Sequence, residues 1–137
     1  MRVIVGIPPR QVTTMLRLEG LAVFVAALAG FELIHANWWL FLLVLAPDLS
    51  FFGLALGQTR GVMVYNLAHT YLWPVICIFI GMLTPANWLM PLGFIWATHI
   101  GADRALGYGL KYPEMSEATH LGLMGKARKM AKRADAG

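Results

Sequence analysis

Residues 38–56 read WWLFLLVLAPDLSFFGLAL. The stretch holds one ionisable side chain, Asp48, and opens on the pair Trp38-Trp39. A helix needs about 20 mostly apolar residues to cross about 30 Å of hydrocarbon. Tryptophan gathers where hydrocarbon meets headgroups. The stretch therefore reads as a membrane span, and the fold class follows from it.

Outward from this segment, three more apolar runs of similar length stand at 16–34, 61–83 and 88–106. The links between runs are short: Ala36-Asn37, then 57–60, then 84–87. Short links make successive helices antiparallel neighbours. Nothing alternates with period two over the length of a barrel strand. The expectation is an all-α fold: one membrane domain over 1–137, an antiparallel four-helix transmembrane bundle, and a basic cytoplasmic tail at 107–137. Pro8-Pro9 argues against helix in residues 1–12. The first run, ending Ala27-Leu28-Ala29 after three arginines, also has the look of a cleavable leader. We read it as a retained span.

Composition agrees with this reading. The chain is 58% hydrophobic and 13% charged, against about 25% charged in a typical soluble domain. A water-soluble fold of 137 residues would leave much of that apolar surface wet. Cys77 is the single cysteine, which excludes an intramolecular disulfide and a multi-cysteine metal site. The net charge is +4, but its placement suits topology rather than nucleic-acid binding. With four spans, all eleven Lys and Arg residues fall on one side, and the turns at 36–37 and 84–87 carry none. By the positive-inside rule that side is cytoplasmic. Both termini are then cytoplasmic, the chain sits in a bacterial inner membrane, and the basic stretch 126–133 can touch anionic headgroups.

The spans carry polar residues at comparable depth. Asp48 stands nine residues before Gly57, and His69 nine after Arg60. His99 and Asp103 stand eight and four before Gly107, and Glu19 is near the start of the first run. At 1.5 Å per residue all lie roughly 5–15 Å in from one face. His99 and Asp103 are four residues apart and share a helix face, as do Asn66, His69 and Trp73. Pro47 and Pro74 each free a backbone carbonyl one turn earlier, at the level of these groups.

Ionisable groups at such depth are costly and mark function or tight pairing. Imidazole nitrogen and carboxylate oxygen together suit zinc or another divalent first-row metal. His69, His99 and Asp103 are the candidate ligands. Asp48 is a ligand or general base, and Glu19 a second candidate base. Asn66, Arg104 and His120 would line the pocket or its mouth. Hydrolysis near the membrane is the chemistry such a site would support. Weighed evenly against it, the same groups could only glue helices together, with Arg104 neutralising Asp103 or Glu19. That alternative makes the chain a non-enzymatic accessory subunit of a larger membrane complex. A third is a haem protein with His69 and His99 as axial ligands, ranked last because carboxylates suit a hard cation better.

Several of these stretches resemble a known family. Residues 46–50 (APDLS), 65–70 (YNLAHT) and 99–112 (HIGADRALGYGLKY), with 17–20 (RLEG) and 119–122 (THLG), are similar to the uncharacterised bacterial family called domain of unknown function 4260. The resemblance covers most of 16–125 and implies a small multi-span membrane protein without assigned activity. A weaker resemblance is to inner-membrane metal-dependent hydrolases, through Pro47-Asp48, His69-Thr70 and His99 with Asp103 in that order. The chain lacks the Arg-Gly before His-Thr and the extra early histidine of that group, so its ligand set would be smaller.

Overall fold

The computed structural model describes residues 8–86 and 88–134. Arg2, Asn87 and Gly137, which bear on the expected topology, lie outside the described residues. The chain runs through α1 (Arg10–Leu33), a 3-10 helix (Trp38–Leu56), α2 (Gln58–Ala68), α3 (Leu72–Leu83) and α4 (Leu89–Leu106). Three short strands follow, β1 (Lys111–Tyr112), β2 (Met115–Thr119) and β3 (Gly122–Leu123), and then α5 (Gly125–Ala134).

Three helical segments are long and apolar enough to cross a membrane: Arg10–Leu33, Trp38–Leu56 and Gln58–Leu83, the last made of α2 and α3 together. Their large apolar side chains mostly face outward, Leu42 (83% exposed) and Phe52 (78%) among them. An apolar exterior on this scale suggests a membrane protein, since soluble monomers do not expose contiguous apolar patches of that size.

α4 occupies the centre. It packs against α1, α3 and the 3-10 helix, while α2 packs on the 3-10 helix. Its buried residues include Ile95, Thr98, His99, Ile100 and Arg104. Missing side chains let the backbones approach. A Cβ on Gly101 would stand 2.6 Å from the Phe24 nitrogen of α1, one on Gly93 2.7 Å from the Pro74 carbonyl of α3, and one on Gly61 2.5 Å from the Leu54 Cα of the 3-10 helix. Contacts of this kind drive association where no hydrophobic force acts between helices.

Three features differ from the sequence expectation. The second span is a 3-10 rather than an α-helix; at about 2.0 Å per residue it is about 38 Å long, where an α-helix would be about 28 Å. The third span is broken. Pro74 has no N–H and its ring crowds the carbonyl four residues back, so α2 stops at Ala68 and α3 restarts at Leu72.

The fold is also not all-α, because 111–123 forms a three-stranded antiparallel sheet of order β1-β2-β3. Two tight turns make it. Tyr112 pairs with Met115 across Pro113-Glu114, and Thr119 with Gly122 across His120-Leu121. Pro113 cannot donate to a ladder and so suits the turn. Within the second turn Thr119 Oγ1 donates to the Gly122 carbonyl at 3.0 Å and accepts from the Leu121 amide at 3.2 Å. Gly107, in the left-handed region (φ 98°, ψ 13°), ends α4 and turns the chain into this sheet. The stretch expected as a simple basic tail is therefore a folded cap followed by a basic helix.

Candidate metal centre

His69 takes its place from the broken span. It caps α2 at its C-terminal end, and its Nδ1 faces the Tyr65 carbonyl at 2.9 Å. A carbonyl can only accept, so Nδ1 carries a proton, and in the neutral imidazole Nε2 presents a lone pair. Tyr65 also stacks on the imidazole, ring centroids 4.0 Å apart and planes 17° apart. His69 and His99 are almost fully buried, at 1% and 6% exposed.

The break leaves carbonyls that no helix can satisfy, and α4 meets them. Trp96 Nε1 donates to the Ala68 carbonyl at 2.7 Å. Arg104 Nη2 donates to the His69 carbonyl at 3.0 Å, and its Nη1 to the Tyr108 carbonyl at 3.1 Å. Arg104 thus spends its guanidinium on backbone. Among the described residues it makes no ion pair with Asp103 or Glu19, and the expected neutralisation is replaced by positioning of His69.

Asp48, His69, His99 and Asp103 converge, one ligand atom from each, all within 4.8 Å of one another. The two Nε2 atoms are 3.3 Å apart. Asp48 Oδ1 is 3.6 Å from His69 Nε2 and 3.5 Å from His99 Nε2. Asp103 Oδ2 is 3.5 Å from each. Four ligands held tetrahedrally at about 2.0–2.2 Å from one ion stand about 3.3–3.6 Å apart, since a tetrahedron's edge is about 1.63 times its centre-to-vertex distance. Five edges of the cluster have that length. With His69 Nε2 unprotonated, one imidazole proton at most serves two carboxylates and a second nitrogen. Such a gathering of acceptors is unfavourable without a cation.

The cluster has a more open side. The Asp48 side chain is 41% exposed and that of Asp103 21%. Beside it, between the 3-10 helix and α4, lies an apolar cleft of about 500 Å³ lined by Leu43, Pro47, Ala68, Ile95 and Trp96. Pro47 and Ala68 directly precede Asp48 and His69. Ser50 Oγ, also on this cleft, is buried without a hydrogen-bond partner.

The sheet closes over the pocket. Asn66 clamps it: its Nδ2 donates to the Lys111 carbonyl at 2.9 Å and its Oδ1 accepts from the Lys111 amide at 2.8 Å. The Lys111 ammonium lies 4.4 Å and 4.3 Å from the ring centroids of Phe51 and Tyr65, and burial pulls its pKa below the usual lysine value. His120 stands in the cap, not in the cluster. Its Nδ1 accepts from the Leu110 amide at 3.0 Å. Burial, and secondarily the charge of Arg104, lower its pKa. Glu19 is exposed on α1, outside the cluster.

A family model described as Domain of unknown function (DUF4260) matches residues 13–124. The chain belongs to that family. The match takes in all four cluster residues and the sheet. No curated protein and no solved structure matches the chain.

Trp96 lies on the same stripe of α4 as His99 and Asp103, but Tyr65 and Lys111 were not expected in functional positions, the tyrosine because in such a chain it reads as interfacial and the lysine because it reads as a topology signal. The one available signal was spacing: Tyr65 and His69 are four apart and share a face of α2.

Proposed function

We propose that this DUF4260 chain is a four-span protein of the bacterial inner membrane that binds one divalent transition metal, zinc by preference. α4 would be the fourth span, sheltered by the other three. The observation that carries the reading is the set of five donor separations of 3.3–3.6 Å among His69, His99, Asp48 and Asp103. Two imidazoles and two carboxylates match zinc's ligand preferences. A haem fits less well. Its axial nitrogens would stand roughly 4 Å apart on opposite faces of a porphyrin, twice a metal–nitrogen bond of about 2.0 Å. Here the two nitrogens form one edge of a compact polyhedron that carboxylates complete.

The same site suits hydrolysis. A bound zinc would supply Lewis acidity and ease deprotonation of a water. His69, His99 and Asp103 would hold the ion. Asp48, the most exposed of the four, would complete the set at rest and, turned off the ion in favour of a water, would take that water's proton, and Lys111 would keep a positive charge over the Tyr65 ring. The apolar cleft beside Asp48 would receive the hydrophobic part of a membrane-derived substrate.

Elemental analysis of purified protein tests the metal. About one zinc per chain is expected, with near-complete loss in His69→Ala and in His99→Ala while helicity is retained. A wild type without stoichiometric metal, or variants that keep it, would overturn the proposal. Asp48→Asn then separates chemistry from scaffolding. If it keeps zinc and abolishes hydrolysis of acyl esters, Asp48 is the base; if no hydrolysis occurs even in the zinc-loaded wild type, the ion only holds the helices together. Reporter fusions after Asn87 and Gly137 should lie on opposite sides of the membrane, and equal locations would sink the four-span topology.

A further inference from the structure

A second cavity, independent of the metal centre and walled in part by Leu106, Leu121 and Leu123, lies where the start of α1 meets α5 and the end of α4. Its volume is about 360 Å³. Arg10 and Arg17 enter its lining from α1, Arg128 and Lys132 from α5, and Thr13 and Gly107 complete the polar wall. Among the described residues no carboxylate lines it. Among the described residues none of these four cations is ion-paired, every ion pair there being formed by His69 or His99. The four side chains are exposed, so water screens their mutual repulsion, and an anion lodged among them would be attracted by all four at once.

The elements are arranged to hold the charges there. Arg128 and Lys132 are four apart on α5, so they share a face. Glu117 fixes the start of that helix, its Oε2 accepting from the Ala127 amide at 2.9 Å. Arg17 is anchored by its Nε, which donates to the Ala105 carbonyl at 2.8 Å, and this leaves the terminal nitrogens of the fork for a ligand. α1 begins at the cavity with no side-chain cap and no acid in its first turn. Its first amides therefore lack partners within the helix, and such amides favour an anion.

We infer that this cavity is a binding site for a phosphate group. Three guanidinium groups match phosphate geometry through paired N–H donors, and the lysine adds a point charge. The group can come from an anionic phospholipid headgroup or from free phosphate. The site needs no metal, so its test does not depend on the proposed zinc chemistry.

Native mass spectrometry of the full chain, released from detergent in an equal mixture of short-chain phosphatidylglycerol and phosphatidylcholine, reads the site directly. One retained phosphatidylglycerol is expected, favoured over phosphatidylcholine by about tenfold or more, with Arg128→Gln and Lys132→Gln each weakening retention about tenfold. These side chains are exposed, so both variants should fold, and circular dichroism would verify it. Lys126→Gln and Arg133→Gln, which lie outside the cavity lining, should change nothing. Inorganic phosphate at millimolar concentration forms the second arm. If it displaces the lipid or itself raises the melting temperature, the site takes free phosphate; if only the lipid binds, it takes the headgroup. Absence of lipid preference together with absence of a phosphate effect overturns the inference. So does an equal loss in the Lys126 and Arg133 variants, which would mean diffuse attraction to a basic helix.

Discussion

Replacing Gly101 by alanine should damage the metal centre without touching a ligand. The added Cβ would lie 2.6 Å from the Phe24 nitrogen and 2.9 Å from the Gly20 carbonyl, both backbone atoms of α1, where ordinary contact begins at 3.4 Å. Neither atom can rotate away. α1 and α4 must therefore separate by about 0.8 Å, the difference between 3.4 and 2.6 Å. Overpacking of this size costs about 1–3 kcal/mol, and a gap of about 0.5–1 Å forfeits a quarter to a half of each surrounding dispersion contact. Gly101 stands between His99 and Asp103 on α4, so the shift carries two of the four ligands with it. Metal–ligand distances tolerate only about ±0.2 Å. Zinc affinity should fall by at least about tenfold and the melting temperature in detergent should drop. Titration against a competing zinc chelator and thermal unfolding with and without zinc measure both. A Gly101→Ala protein with wild-type melting and wild-type zinc affinity would refute the close approach of α1 and α4 and its coupling to the site.

Arg104→Met should destabilise by about 1–3 kcal/mol, because the buried His69 carbonyl loses its donor, while Trp96→Phe should cost about 1 kcal/mol for the bond to Ala68; chemical unfolding in micelles ranks the two, and the reverse order would contradict their roles. Chelation should lower the wild-type melting temperature, since free zinc at 100 times its dissociation constant contributes about 2.7 kcal/mol, and should leave His99→Ala unmoved. His120 supplies a pH dependence. Its folded-state pKa is depressed, so the unfolded chain binds the proton more readily than the folded one. The sheet is therefore most stable above the unfolded value of about 6.5 and loses stability as pH falls below it, until the folded pKa is passed. Protection factors of the amides within 110–123, with the intrinsic base-catalysed rate divided out, should fall between pH 7 and 5, and His120→Gln should flatten that response.

The four cluster residues were legible in the sequence because an ionisable side chain stands out in an apolar run, and equal depth could be counted from the turns. Pro74 announced a disturbance near His69, but not that a break at 69–71 would hand the His69 carbonyl to Arg104. Arg104 was counted in the pocket, but its partner was not legible, because charge suggested Asp103 or Glu19 whereas the freed carbonyl lay closer. The sheet escaped notice because its strands are two to five residues long, too short for alternation to register, and its lysine resembled a topology signal. Glu19 counted as part of the layer by depth alone. Depth fixes height along a helix and not the direction a side chain takes, and α1 turns Glu19 outward.

The break at 69–71 bears on which ion the pocket prefers. An uninterrupted third span would put its two ends at the membrane faces, far from the cluster. Interrupted, α2 ends at Ala68 with His69 as its cap, so the terminus lies beside the four clustered side chains. Aligned peptide dipoles give such a terminus roughly half a negative charge, in surroundings where water screens it little. The ion would then meet two carboxylates and a helix end of the same sign, offset only in part by the Arg104 guanidinium on the His69 carbonyl, and the field that remains is negative and favours a divalent cation over a monovalent one.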